Sequence, residues 1–130
     1  MQAAKFMEAV EDHHSSLTPR RLRRITDFIE SRLTHGIPLT VMAQQAGISP
    51  FHFCRQFKRA TGLSPHQFVL HRRVERAKLL LALDEAPPLS VIGVELGFVS
   101  QSHFTNVFRR ITGDTPRAHR QRLRGSSLQP

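Results

Sequence analysis

Eight histidines, one cysteine and ten acidic residues are the side chains that metal or acid–base chemistry would draw on, and their spacing supports neither. His66 and His71 are five apart and diverge on a helix, and Cys54 has no Cys-x-x-Cys partner, so no zinc set forms. His52 and His103 sit at matching places in a repeat described below, which assigns them a shared packing or backbone role. The chain has no phosphate-cradling glycine loop, no His-Glu-x-x-His and no nucleophile elbow. Apart from Arg55, Cys54 lacks the electropositive surroundings of a redox thiolate. The expectation is a non-enzyme with no cofactor and no metal.

Hydrogen-bond chemistry of another kind is available at two places. Phe51, Cys54 and Arg55 stand at the start of a segment whose Phe53 and Phe57, four apart, must face a core. On a helix Phe51 and Arg55 lie about 160–200° from Phe53, with Cys54 beside them. Arginine pairs bidentately with guanine, and an apolar side chain meets a thymine methyl in a major groove. Fifty residues on, Gln101, Ser102, Thr105 and Asn106 form a neutral polar face beside the core pair Phe104 and Phe108. Glutamine and asparagine suit adenine, so the two faces should read different bases. Lys58 and Arg59 in the first segment, and Arg109 and Arg110 in the second, suit phosphates, which position without specifying.

The charge agrees with a polyanionic partner. The chain of 130 residues carries a net +9, of which residues 50–124 hold +8 and residues 1–49 only +1. A basic surface favours nucleic acid first and acidic membrane second. Apolar residues make up 39%, enough for a core, and no stretch approaches the ~18 apolar residues of a membrane span. Residues 1–17 contain three acids and two histidines and no secretory pattern. The single cysteine forbids an internal disulfide and suits the cytoplasm.

The elements that position these faces are written twice. At a shift of 50, Pro38, Leu39, Val41 and Gly47 match Pro88, Leu89, Val91 and Gly97. One extra residue after the glycine changes the shift to 51, and His52, Phe53, Phe57, Arg59, Thr61, Gly62 and Pro65 match His103, Phe104, Phe108, Arg110, Thr112, Gly113 and Pro116. Seven identities in the fourteen positions from 52 to 65 mark a duplicated unit. Each unit reads as short helix, glycine turn and capped second helix, the helix-turn-helix outline. In the first unit Leu39, Met42, Ala43 and Ala46 face inward; in the second, Leu89, Ile92 and Leu96 do.

Ser/Thr-Pro pairs mark helix starts at Thr18-Pro19, Ser49-Pro50, Ser64-Pro65 and Thr115-Pro116. The helix from Pro19 should run to about Thr34 and stop at Gly36, with Arg20, Arg21, Arg23 and Arg24 in its first turns, where a phosphate would relieve them. The chain divides into an arm over residues 1–17, a first helix-turn-helix subdomain over 18–63 and a linker helix over 64–86. A second subdomain over 87–124 and a disordered tail over 125–130 follow. The linker should bury Phe68, Leu70, Val74, Ala77 and Leu81 and expose Arg72, Arg73, Arg76 and Lys78. At 1.5 Å per residue it would span about 34 Å, close to the spacing of adjacent major-groove turns. The fold class is all-α, about seven helices.

From about Pro19 to Arg124 the chain resembles the DNA-binding domain of the AraC/XylS family of bacterial transcription regulators. The runs that carry the likeness are GISPFHFCRQFKRATGLSPHQF, RRVERAKLLL and LSVIGVELGFVSQSHFTNVFRRITGDTPRAHR. The resemblance implies two helix-turn-helix subdomains joined by a long helix, with recognition helices in successive major-groove turns of double-stranded promoter DNA. It also implies activation through contacts to RNA polymerase. The family's base-contact positions fall on Phe51, Cys54 and Arg55, and on Gln101, Ser102 and Asn106.

Two residues depart from the family pattern: Gly93 replaces an alanine, which should soften the second subdomain, and Asn106 replaces a frequent arginine. The 37 residues before the first repeat are too few for the ligand-sensing domain that many members carry, so the chain is a short stand-alone member or part of a longer one. The expected state is a cytoplasmic, nucleoid-associated monomer, or a dimer within a longer regulator, with no membrane partner. The alternative is a sequence-blind basic nucleic-acid binder or a protein-docking helical module. Against it, neither role needs a duplicated capped helix with two different exposed faces.

Overall fold

The computed structural model describes residues 17–128. Among them the chain forms seven helices and no strand: α1 (Pro19–Ser31), α2 (Leu39–Ala46), α3 (Pro50–Thr61), α4 (Pro65–Leu81), α5 (Leu89–Glu95), α6 (Gln101–Thr112) and α7 (Pro116–Leu128). Two compact units emerge. One takes the chain through Arg32 and Ile37–Phe68; the other takes Leu33–Gly36 and the chain from Val69 onward. The arm expected over residues 1–17 lies, except for Leu17, outside the described residues.

Capping explains where most helices begin. Thr18 Oγ1 accepts from Arg21 N at 3.1 Å, Ser49 Oγ from His52 N at 3.3 Å and Thr115 Oγ1 from Ala118 N at 3.1 Å. Ser64 and Gln67 form a reciprocal box, each side chain accepting from the other's amide at 3.2 Å. Ser100, the one of these caps without a proline after it, accepts from His103 N at 3.0 Å.

In the first unit, Ile25 and Ile29 of α1 are buried, as are Met42, Ala43 and Ala46 of α2 and Phe53 and Phe57 of α3. The Phe68 ring meets Phe57 edge-on at 5.1 Å. Leu39, expected inward, is exposed at the first residue of α2, whereas its counterpart Leu89 packs against the core of the second unit. In the second unit, Leu70, Val74, Ala77 and Leu81 of α4 pack with Ile92, Leu96 and Phe98 and with Phe104, Val107 and Phe108 of α6. Burying one such phenylalanine contributes about 1.5–3 kcal/mol.

Three helix ends differ from expectation. α1 stops at Ser31, not near Thr34, and Gly36 does not adopt a positive φ. The linker helix α4 ends at Leu81 instead of residue 86, and Leu83 N bonds Leu80 O in a tightened last turn at 3.3 Å. Leu81 is its last buried apolar residue; Ala82, Leu83, Asp84 and Glu85 are exposed, so nothing holds a further turn. At 17 residues the helix spans about 25 Å, and the match to a groove period does not hold. α7 runs through Leu128, past the expected tail start at 125, because Gly125 does not take the left-handed conformation that would end it.

Arg73, expected on the outer face of α4, is buried at 8% exposure. It stands on the same i, i+4 row as Val69, Ala77 and Leu81. Its Nε donates to Leu33 O at 2.9 Å, Nη2 to His35 O at 2.9 Å and Nη1 to Gly97 O at 3.2 Å. The guanidinium also lies 5.8 Å from the Phe98 ring centroid. Burial lowers the Arg73 pKa, yet an arginine in a protein keeps its charge. The planar fork thus satisfies carbonyls of two turns inside the second unit.

Two glycines leave room for these contacts. At Gly97, with φ +84°, an added Cβ would lie 3.0 Å from Arg73 Nη2 and 3.1 Å from Leu33 O. At Gly93 an added Cβ would lie 3.1 Å from Phe104 Cβ, so the glycine expected to soften this subdomain also lets α5 approach α6 closely.

Gly97→Ala should therefore cost about 2 kcal/mol or more, from strain at a positive φ and from the Arg73 clash. Gly36→Ala, where a Cβ meets nothing within 4 Å, should stabilise by ~0.4–1 kcal/mol. Urea midpoints of the two variants moving in opposite directions would meet the expectation. Arg73→Leu should cost about 3 kcal/mol, because it leaves carbonyls without their donor. A urea midpoint unchanged from the native chain would show that the fork contributes nothing.

Candidate nucleic-acid interface

α3 and α6 share one design: an aromatic pair on the inner face fixes the helix, and the outer face carries basic residues, joined by Phe51 in α3 and by short polar residues in α6. In α3, Phe53 and Phe57 are fully buried and their rings lie 5.4 Å apart. That burial turns Phe51 outward at 68% exposure, with Arg55, Lys58 and Arg59 also exposed. Spacings of four, seven and eight place these side chains along one stripe. The Arg55 guanidinium lies 5.7 Å from the Phe51 ring centroid, so the aromatic and the arginine form a joined surface. His52 packs edge-on to Phe51 at 5.9 Å, and its Nδ1 lies 2.7 Å from Ser49 Oγ. The cap and the outer face are thereby tied together.

In α6, Phe104 and Phe108 are fully buried, and Gln101, Ser102, Asn106, Arg109 and Arg110 are exposed. His103 departs from its counterpart: its Nδ1 is buried without a hydrogen-bond partner, and its ring sits edge-on to Phe98 at 5.5 Å. What the two histidines share is a backbone role, each amide donating to its cap hydroxyl, while the rings pack edge-on to different aromatics, Phe51 and Phe98. Cys54 and Thr105, which the repeat places at equivalent positions, are both only partly exposed and lie on the flank of their helices. Of the expected base-facing residues, Phe51, Arg55, Gln101, Ser102 and Asn106 stand fully outward.

Lys58 and Arg59 occupy the last turn of α3, and Arg109 and Arg110 the last turn of α6, where the helix dipole favours cations. Arg20, Arg21, Arg23 and Arg24 are exposed at the opposite, unfavourable end of α1, whose first turn has no acid. In α7, Arg122 forms an ion pair with Asp114, which engages one of the basic residues of that helix. Among the described residues no three His, Cys, Asp or Glu side chains gather into a set that could hold a metal ion. No helix there is long and apolar enough to cross a membrane.

Sequence reasoning missed Arg73 as the support of the Gly97 turn that precedes α6. Its place in the Val69–Ala77–Leu81 row signals burial, whereas its charge alone suggests exposure.

Two capped second helices, each following a glycine turn, define a helix-turn-helix protein, and a helix-turn-helix domain family matches residues 42–122. The chain belongs to the AraC/XylS family of bacterial transcription regulators and carries its DNA-binding domain. It is 37% identical over 92 residues to the "Probable transcriptional regulator LumQ" of Photobacterium leiognathi, covering 71% of this chain and 37% of that protein. It is 29% identical over 102 residues to the regulatory protein SoxS of Salmonella typhimurium, covering 78% of this chain and 94% of SoxS. The chain thus spans little more than a third of LumQ and nearly all of SoxS. Among solved structures, the DNA-binding domain of AdpA, a global transcriptional factor in complex with a target DNA, superposes with a TM-score of 0.75 at 27% identity, over 85% of this chain and 98% of that one.

Proposed function

We propose that the chain is a sequence-specific transcription activator that binds one asymmetric promoter site as a monomer, with α3 and α6 entering successive major-groove turns. The observation that carries this is a repeated frame with unlike readers. Phe51, Cys54 and Arg55 occupy the positions that Ser102, Thr105 and Asn106 occupy in the second copy, while the basic pairs Lys58–Arg59 and Arg109–Arg110 recur. A binder that ignored sequence would need only the pairs. Arg55 would pair with guanine, Phe51 would cover a thymine methyl, and Gln101 and Asn106 would favour adenine, with Ser102 and Thr105 as minor contacts. Lys58, Arg59, Arg109 and Arg110 would hold phosphates. Activation through RNA polymerase, in the cytoplasm at the nucleoid, follows from the family resemblance.

Arg55→Ala and Lys58→Ala should fail differently. Loss of Arg55 should cost ~1–3 kcal/mol and relax base preference at one position, while loss of Lys58 should weaken all sequences alike and reduce the salt slope by about one. Binding to a randomised site library separates the two, and a uniform loss in both variants would remove Arg55 from the reading set. Because the copies are successive stretches of one chain, nothing requires a two-fold axis between them. One chain per site is therefore expected, and inverting one half of a selected site should abolish specific binding. Retained affinity for the inverted site, or two chains per native site, would overturn the asymmetric monomeric mode.

A further inference from the structure

The two copies differ by one inserted residue, and hydrogen bonding locates it. Gly47 N donates to Gln44 O at 3.1 Å and Ile48 N to Ala43 O at 3.2 Å; Gly97 N donates to Val94 O at 3.0 Å and Phe98 N to Gly93 O at 3.1 Å. Ile48 and Phe98 are therefore equivalent. Ser49 and Ser100 are equivalent too, as the caps of α3 and α6. In the first copy Ile48 joins Ser49 directly; in the second, Val99 stands between Phe98 and Ser100. The insertion is Val99.

Packing does not account for this residue. Val99 is 90% exposed, against 4% for Phe98 before it. A β-branched apolar side chain held almost wholly in water next to Ser100, Gln101 and Ser102 gains nothing within the unit. The backbone that carries it is held firmly: Phe98 is buried in the core, and Ser100 caps α6. Val99 is thus displayed from a fixed position just before a helix whose first residues are proposed to read bases. Its neighbours Gln101 and Ser102 offer hydrogen bonds, and none of the residues of α6 proposed as base readers has a purely hydrocarbon side chain.

We infer that Val99 is a specificity-determining residue of the second copy, reading the 5-methyl group of a thymine by apolar contact. This rests on the DNA-binding reading above and adds to it a residue and the base it selects. Among base edges in the major groove, the thymine methyl is the group an isolated apolar side chain can recognise. The first copy carries its own apolar reader one position inside the helix, at Phe51. The second copy has Ser102 at that place and supplies its apolar contact from the inserted residue instead.

The test uses the full 130-residue chain. A site is first selected from random duplex DNA, and each thymine in it is then replaced singly by deoxyuridine, which removes only the methyl. Besides the replacement sensed by Phe51, one further replacement should weaken the native chain about three- to fivefold, the size of one buried methyl group. In Val99→Ser the same replacement should have no effect, while its thermal unfolding stays native because the side chain is exposed. Native binding indifferent to every thymine methyl, or methyl effects that are all undiminished in Val99→Ser, would overturn the inference; the first outcome would also remove the Phe51–methyl contact, and neither would touch sequence-specific binding by the other readers. A selection that enriches no site would overturn both.

Discussion

The rotation of α3 and α6 about their own axes is set by their buried phenylalanines, and every outward residue inherits its direction from that. Phe53 and Phe57, and Phe104 and Phe108, are all fully buried. Turning either helix by one residue, about 100°, would bring at least one ring to solvent at a cost of about 1.5–3 kcal/mol. A good bidentate base contact is worth about 1–3 kcal/mol of discrimination. The core term is already present before any ligand arrives and involves two rings per helix. A base contact can therefore select among sequences but cannot re-aim the helix that makes it.

Sequence exposed this arrangement well where a local rule governs. Ser or Thr followed by proline marks a helix start because the hydroxyl serves an orphan amide and the proline has none to lose, and each such pair proved to be a cap. The aromatic pair at i, i+4 was equally plain. Helix ends were less so. α4 meets no glycine or proline before Pro87, yet it stops when its buried stripe stops at Leu81. Burial, not propensity, sustains such a turn, and burial depends on partners that a local window does not contain.

Arg73 shows the same gap from the other side. A charge on a helix is normally solvated, which by itself groups Arg73 with Arg72 and Arg76. Its three acceptors, the carbonyls of Leu33, His35 and Gly97, lie 24 to 40 residues away in sequence. No window of helical length could reveal them. Only its position on the apolar row of α4 signalled burial, and the positive φ of Gly97 completes the account: a side chain there would occupy the guanidinium's space.

The duplicated frame also explains why the two faces were free to diverge. In each copy the corner after the second helix is built alike. Thr61 Oγ1 lies 2.9 Å from Phe57 O and from Leu63 O, and Thr112 Oγ1 lies 2.8 Å from Phe108 O and 3.0 Å from Asp114 O. Each hydroxyl also accepts an amide two residues on, at 3.2 Å. Both corners contain a left-handed glycine, Gly62 and Gly113, and lead into a capped helix beginning with a buried proline. Changing either threonine breaks bonds within its unit, and a side chain at either glycine strains a positive-φ backbone. Phe51 and Ser102, or Arg55 and Asn106, exchange size and charge at matched positions without disturbing that corner. The residues able to differ at little cost to the fold are therefore those on the exposed faces of α3 and α6, and this is how one duplicated fold comes to carry two unlike surfaces.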